Sequence, residues 1–174
     1  MAKDSLQHND SSRRILLHMI PNRHFRGQPI SFIGVSGFEI IVIFAVLKEL
    51  VMKVLITGTS QGIGKAVAEL FLEKGHEVVG IDRKASAIEH ENYIHYVCDV
   101  RDWESLPEID DVDILINNAG TQNEDDIDIN LKSLIRITEK YGVRTGIKSI
   151  LNIGSASGHT GSEFPEYCAS KGGG

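Results

Sequence analysis

Cysteine is scarce in this sequence: among 174 residues only Cys98 and Cys168 carry a thiol. Two isolated cysteines build no disulfide framework, and no CxxC spacing is present for a structural zinc. Metal-type histidine spacing is missing as well, since the seven histidines form no HxH or HExxH pattern. A basic surplus is also lacking. Lys and Arg number 18 against 24 Asp and Glu, a formal net charge of −6, which argues against a nucleic-acid binder working through a general basic surface. No internal repeat and no low-complexity tract is found. The cysteine usage points to a reduced, cytosolic compartment.

What remains is ordinary globular material. The chain is 41% hydrophobic and 24% charged, enough for a packed core in one domain of common size. One long apolar run occurs, "ISFIGVSGFEIIVIFAVL" at residues 30–47. As a membrane span it barely reaches the needed length, and Glu39 near its middle would cost roughly 2.5 kcal/mol or more. Its basic flank (Arg13, Arg14, Arg23, Arg26) would keep the N-terminus in the cytoplasm and send everything downstream across the membrane. As a signal peptide it starts too late and lacks a small-residue cleavage site. A third reading is that residues 1–51 are translated leader, with Met52 as the true start. The codons for Lys48-Glu49 could spell a ribosome-binding site just ahead of it. We take the leader as the expectation; an anchor or an unusual N-terminal extension stays open.

From Met52 the pattern is regular. "KVLIT" (Lys53–Thr57) is a short apolar, β-branched run and reads as a buried strand. "GIGKAVAELFLEKG" follows as a helix, with Ile63, Val67, Leu70 and Phe71 on its inner face and Gly75 as the stop. "EVVGID" and "YIHYVCDV" read as two further strands. "VDILINN" is a fourth, apolar on both faces and therefore central in a covered sheet. A helix over 126–141 has Ile127, Leu131, Leu134 and Ile135 in phase. "KSILNIG" is a fifth strand, and Pro165 opens a final helix. Strands alternating with helices predict a doubly wound, parallel α/β sheet of Rossmann type. The acidic run "NEDDID" (123–128) suits a helix start, where negative charge meets the positive dipole end, better than a cation site.

The first strand runs straight into "TGTSQGIG". Gly58, Gly62 and Gly64 make a turn tight enough for the backbone to approach a pyrophosphate, and the helix that follows offers its unpaired N–H groups. Without that context the turn would be only a tight connection. Asp82 ends the second strand 18 residues past Gly64, near the spacing expected of a carboxylate accepting both ribose hydroxyls. A carboxylate there repels a 2′-phosphate, which favours NAD over NADP. Arg83 complicates this, because an arginine can accommodate that phosphate; Gln61 adds no positive charge.

Together these segments resemble the short-chain dehydrogenase/reductase family. "TGTSQGIG" is similar to its TGxxxGxG, "NNAG" (117–120) to its second signature, "NIGSASG" to its serine-bearing segment, and "YCASK" to its YxxxK. The resemblance covers residues 52–174. It implies cofactor contacts from Gly58, Ser60, Gln61, Gly62, Ile63 and Gly64 in the turn, and from Asp82 and Arg83 at the ribose. Asp99 and Val100 would lie near the adenine, Asn118, Ala119 and Gly120 along the cofactor, and Tyr167 and Lys171 at the nicotinamide end. It implies a catalytic set of Asn130, Ser155, Tyr167 and Lys171. Asn117 is expected to tie the fourth strand to its neighbours, and Thr57 to bond to the NNAG segment.

The chemistry suits the spacing. A secondary alcohol that gives up hydride must also lose its hydroxyl proton, and a ketone gaining hydride needs a proton donor. A phenol is a poor base near neutrality, and an ammonium beside it favours the phenolate. Tyr167 and Lys171 are four apart, on one helix face. Ser155 would hydrogen-bond the substrate oxygen; Gly154 stands where relatives often carry a second serine, and Ser157 is the fallback. Asn130 would position a water for proton relay to the lysine. The plainer alternatives are a turn hydroxyl for Ser155 and a capping or packing role for Asn130. Cys168 receives no role.

The stretches 99–117 and 120–130 are short, so helices there should be clipped. From Met52 the chain is roughly half a usual catalytic domain of this type. The 174-residue chain is therefore expected to be an N-terminal portion, marginally folded and inactive alone, with its last helix a single turn. The complete protein is expected to be a cytoplasmic homodimer or homotetramer. It would act on a small alcohol or ketone with NAD, without nucleic-acid or membrane partners. The alternative is a non-catalytic dinucleotide sensor on the same fold.

Overall fold

The computed structural model describes residues 51–122, 125–161 and 164–174. The leader or anchor readings rest on residues 1–50, which lie outside the described residues, as do 123 and 124 at the head of the acidic run. Five short strands carry the frame: β1 (Lys53–Thr57), β2 (Glu77–Asp82), β3 (Tyr93–Val97), β4 (Ile114–Asn117) and β5 (Ser149–Asn152). They form one sheet in the order β3-β2-β1-β4-β5, every pair parallel. The order reverses between β1 and β4, so a crevice opens beyond their carboxyl ends, where open α/β sheets bind ligands.

Both faces of the sheet are covered over its central strands β1, β2 and β4, as a parallel sheet requires, while the edge strands β3 and β5 stay largely exposed. Alternate residues of each strand point to opposite sides. Val54, Ile56, Val78 and Ile116 meet Ala68 and Leu72 of helix α1 (Gly62–Glu73). Leu55, Val79, Ile81 and Leu115 face the other way, onto Ile129, Ile137 and Tyr141. Of the expected inner face of α1, Val67 and Phe71 pack partly buried against the cluster around Ala68 and Leu72, and the other two positions are corrected. Ile63 and Leu70 are exposed, whereas Gly64, Ala68 and Leu72 are buried. The cause lies at Gly64, which must press against the turn before it and so fixes the rotation of the whole helix.

The second long helix, α2, is continuous through three stretches. Wide, π-type turns over Ile127–Lys132 and Thr138–Gly142 flank an α-helical Ser133–Ile137. Wide turns lengthen the repeat. The buried stripe is accordingly Ile129, Ser133, Ile137 and Tyr141, each four apart, in place of the expected Ile127, Leu131, Leu134 and Ile135. Leu131 and Leu134 instead reach Gly173 and Gly174.

No helix forms between Val97 and Ile114, as the short spacing predicted. An irregular segment covers the sheet there, burying Val100, Leu106, Ile109 and Val112. Irregular backbone needs partners for its carbonyls, and the end of α2 supplies them. Lys140 Nζ donates to Leu106 O (2.8 Å), the Tyr141 hydroxyl to Pro107 O (2.6 Å), and Arg144 to Ile109 O (2.9 Å).

The chain closes with α3 (Ser157–Thr160) and α4 (Pro165–Gly172), the latter opened by Pro165. At eight residues α4 exceeds the single turn expected. It is held by neighbours and not by its own propensity. Ser170 bonds to Asn130 of α2 (3.0 Å), and a Cβ on Gly158 would lie 2.7 Å from the Lys171 carbonyl group, so α3 and α4 touch backbone to backbone. Both cysteines are free thiols. Among the described residues no helix is long and apolar enough to cross a membrane.

Tyr141 is fully buried and joins α2 to the irregular segment. Tyr141→Phe keeps the ring and removes the bond to Pro107, which should cost about 1 kcal/mol in urea unfolding, whereas Tyr141→Ala should cost about 3–5 kcal/mol. No loss in Tyr141→Phe would show that the hydroxyl contributes nothing.

Candidate functional site

The glycine turn is built by close approach. Gly58 has φ +77°, a left-handed conformation that other residues adopt at a cost. Its N–H donates to Ile81 O (2.7 Å). A Cβ on Gly64 would sit 2.1 Å from Gly58 O and 2.4 Å from Asn118 Nδ2, so no side chain fits. Asn118 crosses from the end of β4 and donates to both Thr57 O (2.9 Å) and Gly58 O (3.1 Å). Thr57 Oγ1 accepts the N–H groups of Asn118 and Ala119 (3.0 Å each), the bond expected of it. Asn117 donates to Asn152 Oδ1 (2.9 Å) and Thr138 Oγ1 (3.0 Å), tying β4 to β5 and α2.

Between these walls lies an open cleft of about 270 Å³. Gly58, Gln61, Gly62 and Ile63 form one side, Asn118, Ala119 and Gly120 another, and Asp82, Arg83, Asp99 and Val100 a third. Helix α1 begins inside it at Gln61 with no side-chain cap, leaving its first N–H groups for a ligand. Ile81, Lys84 and Ile129 also line the cleft and were not anticipated. Lys84 was legible as the second member of a basic pair after Asp82. Ile129 was not, because it depends on the wide turns of α2.

Asp82 is held at the rim by backbone. Its carboxylate accepts Ser60 N–H and Lys84 N–H at 2.9 Å each, and a carboxylate offers about four acceptor sites. Two remain for ribose hydroxyls. Ser60 itself turns away from the cleft, its Oγ donating to Lys84 O (2.9 Å). Lys84 Nζ reaches Gln61 Oε1 (3.0 Å) across the mouth. Asp99 is gripped by Arg101, which donates from Nε (3.0 Å) and a terminal nitrogen (2.7 Å). These bonds hold its carboxyl below the usual carboxylate range, and Arg101 also pairs with Asp125 (2.9 Å). A phosphate cradle, a helix start and a carboxylate with spare acceptor sites fit a dinucleotide.

Of the expected catalytic residues, Asn130 and Lys171 stand at the Gly120 end of the cleft. A Cβ at Gly120 would lie 3.1 Å from Asn130 Oδ1 and 3.3 Å from Lys171 Nζ, so both groups flank the NNAG segment. The Asn130 side chain is engaged structurally. Its oxygen accepts Thr121 N–H (2.8 Å), and its amide donates to Thr121 O (2.9 Å) and Ser170 Oγ (3.0 Å). These are the bonds of the packing alternative. Ser155 follows β5, and its Oγ accepts Ser157 N–H (3.2 Å), while Ser157 is buried. Tyr167 lies one turn before Lys171 on α4, half-buried. Lys171 Nζ donates to Ile153 O (3.1 Å). Burial lowers its pKa, partly offset by the Asp126 charge.

Comparison with known proteins identifies the family and the fold. The short chain dehydrogenase family matches residues 52–174. A 15-hydroxyprostaglandin dehydrogenase of Homo sapiens, named as an NAD(+) enzyme, is 34% identical over 149 residues, covering 67% of this chain and 55% of its own. An NADPH-dependent pterin aldehyde reductase of Arabidopsis thaliana is 30% identical over 153 residues, covering 68% and 62%. Among solved structures, serine dehydrogenase from Escherichia coli is similar at 28% identity and TM-score 0.61, covering 70% of each chain. The chain spans a little over half the length of the curated relatives it matches.

The burial of Lys171 has a consequence for stability. Its folded pKa lies below the unfolded 10.5, so between the two values the unfolded chain binds more protons and stability rises with pH. In urea melts the wild type should gain stability relative to Lys171→Met as pH climbs through the alkaline range toward 10.5. Parallel curves would contradict the burial of a charged Lys171.

Proposed function

The chain belongs to the short chain dehydrogenase family, and from that premise we propose that the whole protein transfers hydride between NAD(H) and an alcohol or ketone. The observation that carries this reading is the cleft itself. Its glycine turn leaves no room for a side chain at Gly58 or Gly64, and it leads on one side to Asp82 and on the other to Lys171. The start of α1 would bind the phosphates, Asp82 the adenosine ribose hydroxyls, and Asp99 and Val100 would border the adenine. Ala119 and Gly120 would run beneath the cofactor toward Lys171.

When bound, the dinucleotide supplies a ring that accepts or releases hydride. The chain's own residues handle the proton and the oxygen. Tyr167 takes the substrate's hydroxyl proton in oxidation and returns one in reduction. Lys171 stands one turn beyond Tyr167 on α4 with its ammonium beside Gly120. Ser155 donates to the substrate oxygen, where charge develops. Asn130 fixes the Thr121 loop against α4, keeping Lys171 beside Gly120. We propose NAD over NADP because Asp82 places a negative charge where a 2′-phosphate would stand. We further propose that the protein works in the cytoplasm, as a homodimer or homotetramer through α2 and α4.

In the whole protein, Tyr167→Phe should lower turnover about 100-fold or more while leaving NADH affinity, read by its fluorescence, within about two-fold. Unchanged turnover would remove Tyr167 from the chemistry. An absence of turnover in the wild type, with NADH still bound, would favour a dinucleotide sensor. Asp82→Asn should weaken NAD binding by about 1 kcal/mol or more and spare NADP; equal loss for both would take Asp82 from the ribose.

A further inference from the structure

The edge strand β3 sends two side chains to the back of the cleft, and neither has a part in the reading above. Tyr93 and His95 are two residues apart and so share a face. The Tyr93 hydroxyl lies 2.8 Å from Thr59 Oγ1, inside the glycine turn, and 2.9 Å from His95 Nδ1. The other ring nitrogen, His95 Nε2, lies 2.8 Å from Lys84 O. Strand β2 makes room for this bridge at Gly80, where a Cβ would come 2.1 Å from the Tyr93 hydroxyl and 2.4 Å from Thr59 Oγ1. Thr59 is fully buried.

The chemistry of the partners sets the direction of the chain. A carbonyl only accepts, so Nε2 carries the hydrogen and donates to Lys84 O. In the neutral ring Nδ1 then accepts from the Tyr93 hydroxyl, and Tyr93 in turn accepts from Thr59. The same Lys84 carbonyl accepts Ser60 Oγ (2.9 Å), and Lys84 N–H donates to Asp82 (2.9 Å). A closed circuit therefore runs from the glycine turn through Tyr93 and His95 to Lys84, and back through Asp82 and Ser60. It fixes the backbone of 82–84. That backbone decides whether the ribose corner offers the Asp82 carboxylate or the cations of Arg83 and Lys84.

We propose that Tyr93 and His95 are positioning residues for the adenosine ribose corner and set its preference for NAD over NADP. This rests on the reading that the cleft binds a dinucleotide. Without the ring at His95 the Lys84 carbonyl loses a donor, the 82–84 corner loosens, and Asp82 no longer stands firmly against a 2′-phosphate. Repulsion of NADP then falls while the ribose bond to NAD weakens, so the two affinities move in opposite senses.

The test is calorimetric titration of the 174-residue chain with NAD⁺ and with NADP⁺. His95→Ala should narrow the NAD:NADP preference about five-fold or more, the effect of losing one hydrogen bond. His95→Gln, whose amide can reach the Lys84 carbonyl, should keep the ratio within about two-fold of wild type. Tyr93→Phe, which preserves the ring and the core, should narrow it about two- to three-fold and reads the circuit even if His95→Ala fails to fold. A merely structural role would weaken both dinucleotides in parallel and leave the ratio fixed; that result, or a failure of His95→Gln to rescue, overturns the proposal. Wild type that binds neither dinucleotide overturns the underlying reading with it.

Discussion

Where β1 leaves the sheet at Thr57, its last carbonyls have no strand partner, and Asn118 supplies one from the end of β4. Its amide donates to Thr57 O and Gly58 O, while Thr57 Oγ1 accepts the N–H groups of Asn118 and Ala119. Left unpaired, such buried acceptors would each cost about 1–3 kcal/mol. The tie works only because Gly58 and Gly64 have no side chain in its path. From it follow the rotation of α1, the placement of that helix's first N–H groups in the crevice, and the route of Asn118, Ala119 and Gly120 along one wall. The reversal of strand order between β1 and β4 would open a gap in any such sheet. This contact sets the shape of that gap.

Charge is arranged in sequence along the cleft. At the outer rim a carboxylate, Asp82, is placed by two backbone N–H groups beside a basic pair. At the inner end a half-buried lysine faces Gly120 and the Ile153 carbonyl. Between them the walls are backbone and small side chains. Such a layout gives orientation to a ligand charged in its middle and polar at both ends. The length of chain needed to cover a substrate is a separate matter, and the substrate's identity lies with the whole protein.

Much of this was legible in the residues. Strands announce themselves by apolar or β-branched runs bounded by Gly, Asp or Asn, and all five stand where the sequence placed them, though only β1, β2 and β4 are buried. The glycine turn, Asp82 and NNAG were legible because their backbone geometry admits few residue types. Side-chain phase was not. The inner face of α1 was read from the large apolar residues; Val67 and Phe71 do pack against the sheet cluster, but Gly64 must touch the turn, so Gly64, Ala68 and Leu72 are the buried residues and Ile63 and Leu70 face solvent. In α2 the wide turns changed the repeat to four, which no propensity signals. Long-range bonds were equally hidden: His95, which no motif picks out, reaches Lys84, and Asn130 spends its amide on Thr121 and Ser170.

The most direct test of the central claim is a titration of the ¹⁵N-labelled chain with NAD⁺, following backbone amide shifts by NMR. The account predicts shifts concentrated in three places that meet only in the fold: 58–64, 82–84 and 118–120. Amides at the opposite ends of the strands, such as Lys53, Glu77 and Tyr93, should stay still. Shifts scattered over the surface, or confined to one of the three segments, would contradict a dinucleotide lying in the cleft.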